Sequence, residues 1–99
     1  MGEFEQLVLL ALLRLGNDAY GVEVRREIAR RTGRDVSVGA VYTALDRLER
    51  KGWVSHELGA PTPERGGRAK KYFRVERAGR EVLRDTHRAL EVMWEGVTP

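Results

Sequence analysis

The clearest periodicity in the chain lies between residues 37 and 52, where apolar positions recur at the spacing of an α-helix. The apolar face comprises Val38, Val41, Ala44, Leu45 and Leu48. Ser37 suits the N-cap of this helix, and Gly52 suits the left-handed conformation that ends one. The opposite face carries Gly39, Thr43, Asp46, Arg47 and Arg50, with Tyr42 on its flank. Small residues followed by cations are typical of a helix that enters the DNA major groove, although an ordinary solvated helix face also fits.

Two further helices are predicted before this one. The helix predicted over residues 3–15 is apolar on nearly all sides between Leu7 and Leu13, so we expect other parts of the protein to pack against more than one of its sides. We expect a second subunit to cover one of these sides. Residues 20–31 form the next helix, ended by Gly33. Its basic cluster comprises Arg25, Arg26, Arg30, Arg31 and Arg34. This cluster is either a solubilising surface or a sign that its helix is the one that crosses the phosphate backbone in helix-turn-helix proteins. The short link of residues 34–36 has room for a strand of one or two residues.

Beyond Gly52 the pattern becomes strand-like. Residues 53–58 alternate between apolar and polar, and residues 71–75 are aromatic and β-branched. Residues 59–70 between them are rich in glycine, proline and cations. This composition predicts a hairpin tip that approaches phosphate or a narrow minor groove, and the alternative is a flexible loop without a binding role. Three helices followed by a basic hairpin are the winged helix-turn-helix arrangement.

The last helix is predicted over residues 77–96. Its apolar positions are three and four residues apart, and its other positions are heavily charged. This narrow seam favours packing against a second chain and therefore predicts a homodimer. The seam consists of Gly79, Leu83, Thr86, Leu90, Met93 and Val97. Trp94 lies one position off its axis.

Composition narrows the possibilities. A chain of 99 residues with 41% hydrophobic content forms one compact unit, which we divide into a DNA-binding domain (1–75) and a dimerisation helix (76–99). The net charge of +3 is compatible with a polyanionic partner. The absence of cysteine excludes disulfides and thiolate metal sites. The apolar run from Leu7 to Leu13 is too short to cross a bilayer, so no membrane partner is expected.

Nothing in the sequence indicates catalysis, a metal or a cofactor. The two histidines, His56 and His87, are predicted to be isolated surface residues, which makes a metal site unfavourable. Ser55 precedes His56 in a strand, where successive side chains point to opposite faces, so they are not a nucleophile–base pair. We therefore expect no enzyme activity.

The chain resembles the PadR family of bacterial and archaeal transcriptional regulators. The resemblance rests on Ala19-Tyr20-Gly21, on residues 36–49 with Gly52, and on Gly66-Gly67-Arg68 leading to residues 72–75. Within the family, the chain resembles the short-tailed branch, whose members have one C-terminal helix. Glu76 stands where the family usually has Thr, a better helix cap. The resemblance implies a cytoplasmic homodimer on an inverted-repeat operator, a repressor role, and release by a small hydrophobic or aromatic effector.

These observations predict a mainly α fold with a small β-hairpin: a winged helix-turn-helix plus a C-terminal dimerisation helix. The residues predicted to contact double-stranded DNA are Tyr20, Ser37, Gly39, Tyr42, Thr43, Arg47, Arg65, Arg68 and Lys70. Those predicted at the dimer interface are Leu9, Leu83, Thr86, Leu90, Met93 and Val97. Trp94 and Met93 are the candidates for an effector site. The alternative is a winged helix that binds protein or RNA and has no operator.

Overall fold

The computed structural model describes residues 1–59 and 70–99. The elements follow one another as α1 (Glu3–Arg14), α2 (Gly21–Thr32), α3 (Val38–Arg50), β1 (Val54–Leu58), β2 (Lys71–Val75) and α4 (Arg77–Trp94). The two strands are antiparallel, with Val54 opposite Val75 and Leu58 opposite Lys71. The predicted order of three helices, a hairpin and a last helix is confirmed, although α1 ends one residue early and α4 two residues early.

The predicted ends of α3 are confirmed. The Ser37 hydroxyl oxygen accepts a hydrogen bond from the Ala40 N–H at 3.0 Å. At the other end Gly52 is left-handed, with φ of 79°, and the next N–H, that of Trp53, reaches back to the Leu48 carbonyl at 3.0 Å. The predicted apolar face is corrected at Val38, which is 37% exposed because the whole first turn of α3 lies outside the core.

α1 is the central helix, and its own chain covers most of it. It packs against α2, α3, β2 and α4. Leu9 is completely buried in this core. The prediction that Leu9 contacts a partner is therefore corrected, because it has no exposed surface, and a second subunit is not needed to cover this part of α1. Leu10, the next residue, is 44% exposed.

The loop between α1 and α2 adds a single bridge beside β2 of the two-stranded sheet. Gly16, Asn17 and Asp18 all have positive φ, which turns the chain sharply toward β2. Ala19 then forms an isolated bridge with Phe73, whose N–H donates to the Ala19 carbonyl at 2.8 Å. Residues 34–36 form no strand, although the sequence left room for a very short one. A side chain holds them instead, since Arg25 Nε donates to the Val36 carbonyl at 2.8 Å.

A buried carboxylate ties the start of α1 to the end of α3. Glu5 accepts hydrogen bonds from Lys51 Nζ at 3.1 Å and from the Gly2 N–H at 3.2 Å. Burial alone raises the pKa of Glu5, but these bonds and the charges of Lys51 and Arg47 outweigh it, so the pKa lies below its ordinary value of 4.5. The ionised pair stabilises the fold at neutral pH, and this contribution is lost as the pH falls through the lowered pKa.

The body of the domain fixes the start of α4. Glu76, at the N-cap, makes no side-chain capping bond, and its N–H donates instead to the Trp53 carbonyl at 2.8 Å. Gly79 packs directly on that carbonyl group, where a Cβ atom would collide with it. Gly79 and Leu83 are the buried residues of α4. The second half of the helix projects from the body, in keeping with molecular extents of 55 × 28 × 21 Å.

Gly79→Ala should destabilise the protein, because the added methyl meets backbone that cannot rotate away. We expect a loss of about 1–3 kcal/mol, seen as a fall of roughly 5–20 °C in Tm. Gly39→Ala in α3 is the matched control, since the nearest atom to its Cβ position is Ser37 Oγ at 3.9 Å. The control should be neutral or slightly stabilising. Equal Tm values for the two variants, measured by circular dichroism, would contradict the close packing at Gly79.

Candidate nucleic-acid interface

The solvent face of α3 brings together four of the residues predicted to contact DNA: Ser37, Gly39, Thr43 and Arg47. All four are exposed, and so are Asp46 and Arg50 beside them. Gly39 leaves the first turn bare, because nothing but the Ser37 hydroxyl lies within 4 Å of its Cβ position. Small groups thus occupy the N-terminal end and cations the C-terminal half, as the sequence predicted. A surface that is slim at one end and basic at the other fits a groove between two phosphate backbones.

Thr43 has limited hydrogen-bonding freedom. Its hydroxyl donates to the Gly39 carbonyl at 3.0 Å, within the same helix. With the proton so engaged, the side chain offers a methyl group and acceptor lone pairs to an incoming ligand. A methyl group at this position suits apolar contact with the methyl of thymine, whereas the lone pairs suit an amino group on a base edge.

Tyr42 is half-buried and serves the packing of α3. Its ring lies over Gly21, the first residue of α2, where a Cβ would sit 2.5 Å from the Tyr42 Cζ atom. It also meets Phe73 with ring centroids 6.2 Å apart. Sequence reasoning placed Tyr42 on the flank of the helix but missed this pairing with Gly21. The signal was present in the glycine that opens α2, since glycine at that position marks a close approach by another side chain.

The basic cluster of α2 is largely engaged within the protein. Arg25 holds the Val36 carbonyl, Arg30 makes two short contacts with the buried Glu27, and Arg34 pairs with Glu3 at 2.9 Å. Arg26 and Arg31 are exposed and have no ion pair among residues 1–59 and 70–99. The sequence therefore suggested more unpaired positive charge in this cluster than the structure has. It did not show which arginines contact carboxylates or carbonyls of the protein.

The wing is defined here as β1 and β2 with Gly59 and Lys70 at their loop end, and the Ala19–Phe73 bridge joins it to the body. Lys70 Nζ lies 4.5 Å from the centroid of the Tyr20 ring, so two of the predicted DNA-contacting residues are neighbours. Arg65 and Arg68, also predicted to contact DNA, lie outside the described residues.

His56 corrects the prediction of a surface residue. Its Nδ1 lies 2.6 Å from Glu49 Oε2, and its ring centroid is 5.7 Å from that of Phe73. The side chain is 29% exposed. His56 therefore connects β1 to the end of α3, while His87 is exposed on α4 beside Glu91, as predicted.

The residues predicted for the dimer interface fall into two groups. Leu83 is buried against its own chain, and Thr86 is half-buried. Leu90, Met93 and Val97 are 46%, 75% and 55% exposed. Trp94 is 56% exposed and lines a shallow groove on α4 with His87, Leu90, Glu91 and Glu95. The second half of α4 thus exposes Leu90 and Met93, whereas Val97 lies beyond the end of the helix and after the left-handed Gly96, so the helical seam predicted through Val97 ends at Met93.

Two further observations bear on the kind of site. In the part of the chain that the structure describes, no three carboxylate or histidine side chains gather as metal ligands would. No helix in that part combines the length and the apolar character needed to span a bilayer.

Comparison with known proteins agrees with this geometry. The family model for the transcriptional regulator PadR-like family matches residues 9–85. Transcriptional regulator Rv3488 of Mycobacterium tuberculosis is 36% identical over 75 residues, which cover 76% of this chain and 65% of that relative's length.

Two solved structures have the same fold. A PadR family transcription regulator from hypervirulent Clostridium difficile R20291 superposes with a TM-score of 0.75 at 21% identity, covering 95% of this chain and 93% of the other. F93 from STIV, a winged-helix DNA-binding protein, gives a TM-score of 0.73 at 21% identity, covering 92% and 90%. With the fold and the family model in agreement, the chain is a winged-helix protein and belongs to the PadR-like family of transcriptional regulators.

Proposed function

We propose that the protein is a homodimeric repressor that binds an inverted-repeat operator in double-stranded DNA. The observation that carries the proposal is the uncovered face of α3, where Gly39, Thr43 and Arg47 are exposed on a helix whose opposite face is fixed in the core. In helix-turn-helix proteins the second helix of the motif enters the major groove and the preceding helix crosses the backbone. α3 and α2 take these positions here.

The free cations of the described residues support a duplex ligand. Arg47 and Arg50 follow the small residues of α3, Arg26 and Arg31 lie on α2, and Lys70 lies at the loop end of the wing. None of the five has an ion pair among residues 1–59 and 70–99. Unpaired cations on three neighbouring elements suit the two phosphate backbones that flank a major groove.

A second copy of the chain is the proposed partner along α4. Leu90 and Met93 are exposed on α4, Val97 is exposed just beyond its end, and Leu10 of α1 is exposed at a groove between α1 and α4. Exposed apolar patches of this kind mark interaction surfaces. A two-fold dimer would present two copies of α3, and these would read two half-sites of opposite orientation roughly 34 Å apart. An inverted repeat is the DNA counterpart of that symmetry.

Repression would follow from occupancy. A dimer that holds two successive major grooves of a promoter blocks access to the same duplex, and no further activity is required. We place this function in the cytoplasm of a bacterial or archaeal cell, where the chromosome lies. The repressor role and the location both rest on the family, as does the effector considered below.

The role of α3 can be tested by separating base contacts from phosphate contacts. Arg47→Ala should weaken all duplexes alike and reduce the slope of log K against log salt by about 0.9. Thr43→Ser removes the methyl group but keeps the hydroxyl, and should relax sequence preference by roughly 1 kcal/mol with the slope unchanged. Fluorescence anisotropy on a duplex selected from genomic fragments, at four salt concentrations, measures both quantities.

Arg88→Ala is the control, because this exposed cation lies on α4. It should leave the slope unchanged. An equal loss of slope for Arg88→Ala and Arg47→Ala would mean that binding follows net charge alone. Tighter binding to an RNA hairpin than to any duplex would favour the alternative of an RNA-binding module.

The dimer is tested on the projecting half of α4. Leu90→Asp should yield a folded monomer that no longer binds the operator tightly, since Leu90 is exposed in the single chain but would be buried with its charge in a dimer. Ala89→Asp makes the same change of charge at the exposed neighbouring position and should remain dimeric. Light scattering at micromolar concentration gives the mass of each variant. A monomeric unmodified chain would refute this assembly.

We further propose a small planar hydrophobic effector at Trp94. The groove beside Trp94 is lined by apolar carbon and two carboxylates, and Met93 adjoins it with an adaptable thioether side chain. In a dimer the two copies of this surface would lie near the symmetry axis. A ligand bound there would change operator affinity only by binding the free and DNA-bound states with different affinity.

Planar aromatic compounds should therefore quench tryptophan fluorescence saturably and weaken operator binding. Trp94→Phe should remove most of the quenching. Trp53→Phe should not remove it; Trp53 is a half-buried residue beside Lys51. A chemically diverse panel that changes neither fluorescence nor operator affinity would show that Trp94 serves packing between subunits.

A further inference from the structure

Tyr20, a predicted DNA-contacting residue, packs on a second tyrosine near the loop end of the wing. Tyr20, at the N-cap of α2, meets Tyr72 of β2 edge to face, with ring centroids 6.0 Å apart and ring planes at 85°. Both side chains are half-buried. The two residues are distant in sequence, so their contact joins the helix-turn-helix to the wing. Edge-to-face packing of this kind is favourable beyond the area it buries.

Gly59 makes this arrangement possible. The Tyr72 ring occupies the space that a Cβ atom at residue 59 would need. The Gly59 N–H also donates to the Lys70 carbonyl at 2.7 Å. This bond continues the strand pairing beyond Leu58 and Lys71, so it fixes the backbone of Lys70 relative to β1.

The side chain of Lys70 is held in turn by Tyr20. Its Nζ atom lies 4.5 Å from the Tyr20 ring centroid, within the range of a cation–π contact. Lysine otherwise has a long flexible stem and loses much rotamer freedom when it binds a ligand. Lys70 remains exposed, so its ammonium group can meet an anion without leaving the ring.

We propose that Tyr20 and Tyr72 together hold the Lys70 ammonium group ready at the junction of α2 and the wing, where it binds a phosphate of the DNA backbone. Lys70 makes the contact, and Tyr72 is a positioning residue that acts through Tyr20. Ordering the cation before binding reduces the entropy lost on binding. This inference rests on the proposed function, because it assigns a phosphate contact to a DNA-binding protein.

The arrangement is tested first in the free protein by NMR. The methylene protons next to Lys70 Nζ should be shifted upfield by the ring current of Tyr20. Tyr20→Phe should keep the shift, because the ring remains, whereas Tyr20→Leu should abolish it. Absence of the shift in the unmodified protein overturns the inference, whatever the stability of the variants.

The role in binding is tested by a double-mutant cycle on the operator duplex. Tyr72→Leu removes the ring that packs on Tyr20 and should weaken binding by up to about threefold, the size expected if the cation–π contact of Tyr20 with Lys70 is lost, and Tyr72→Phe should restore binding. Lys70→Gln should reduce the salt slope by about 0.9. In the Lys70→Gln background, Tyr72→Leu should have no further effect, because no ammonium group is left to position.

The outcomes separate this inference from the proposed function. If Tyr72→Leu weakens binding equally in both backgrounds, the tyrosines act independently of Lys70 and the inference is wrong, while operator binding stands. If the unmodified chain binds no duplex, the proposed function fails and the phosphate contact fails with it, even where the NMR shift is present. Tyr72→Phe serves as the folding control, since it keeps the ring packed on Gly59.

Discussion

Burial of one face of α3 is the interaction on which the rest of the molecule depends. Val41, Ala44, Leu45 and Leu48 are almost completely removed from water. Burial of a large aliphatic side chain is worth about 1.5–3 kcal/mol, whereas an exposed ion pair is worth about 0–1 kcal/mol. The orientation of α3 is therefore decided by these apolar residues, and the exposed positions of Gly39, Thr43 and Arg47 follow from the helical period.

Polar and aromatic contacts then fix the neighbours of α3 relative to it. Tyr42 over Gly21 joins it to α2, Lys51 with Glu5 joins its end to α1, and His56 with Glu49 joins it to β1. These contacts attach α3 to an element on each of three sides. Such contacts add less free energy than the core, but they restrict how far the wing and α2 can move relative to α3.

α4 has two physical environments along one helix. Its first turns are committed to the body, where Gly79 packs on Trp53 and Leu83 reaches the core. Its last turns expose Leu90, Met93 and Trp94. The spacing of apolar residues is the same throughout, so a single sequence pattern supports packing within the chain at one end and leaves apolar side chains exposed at the other.

The sequence alone determined the elements, because periodicity, caps and turn residues act locally. It placed α3 between Ser37 and Gly52, identified its exposed face, and predicted the hairpin. Contacts between distant residues were decided only by the tertiary structure. Leu9 and Leu10 are equally apolar, yet the arrangement of four surrounding elements buries one and exposes the other. In the same way the pairing of Arg34 with Glu3, of His56 with Glu49 and of Lys70 with Tyr20 depends on where folding brings each side chain, and no local pattern encodes that distance.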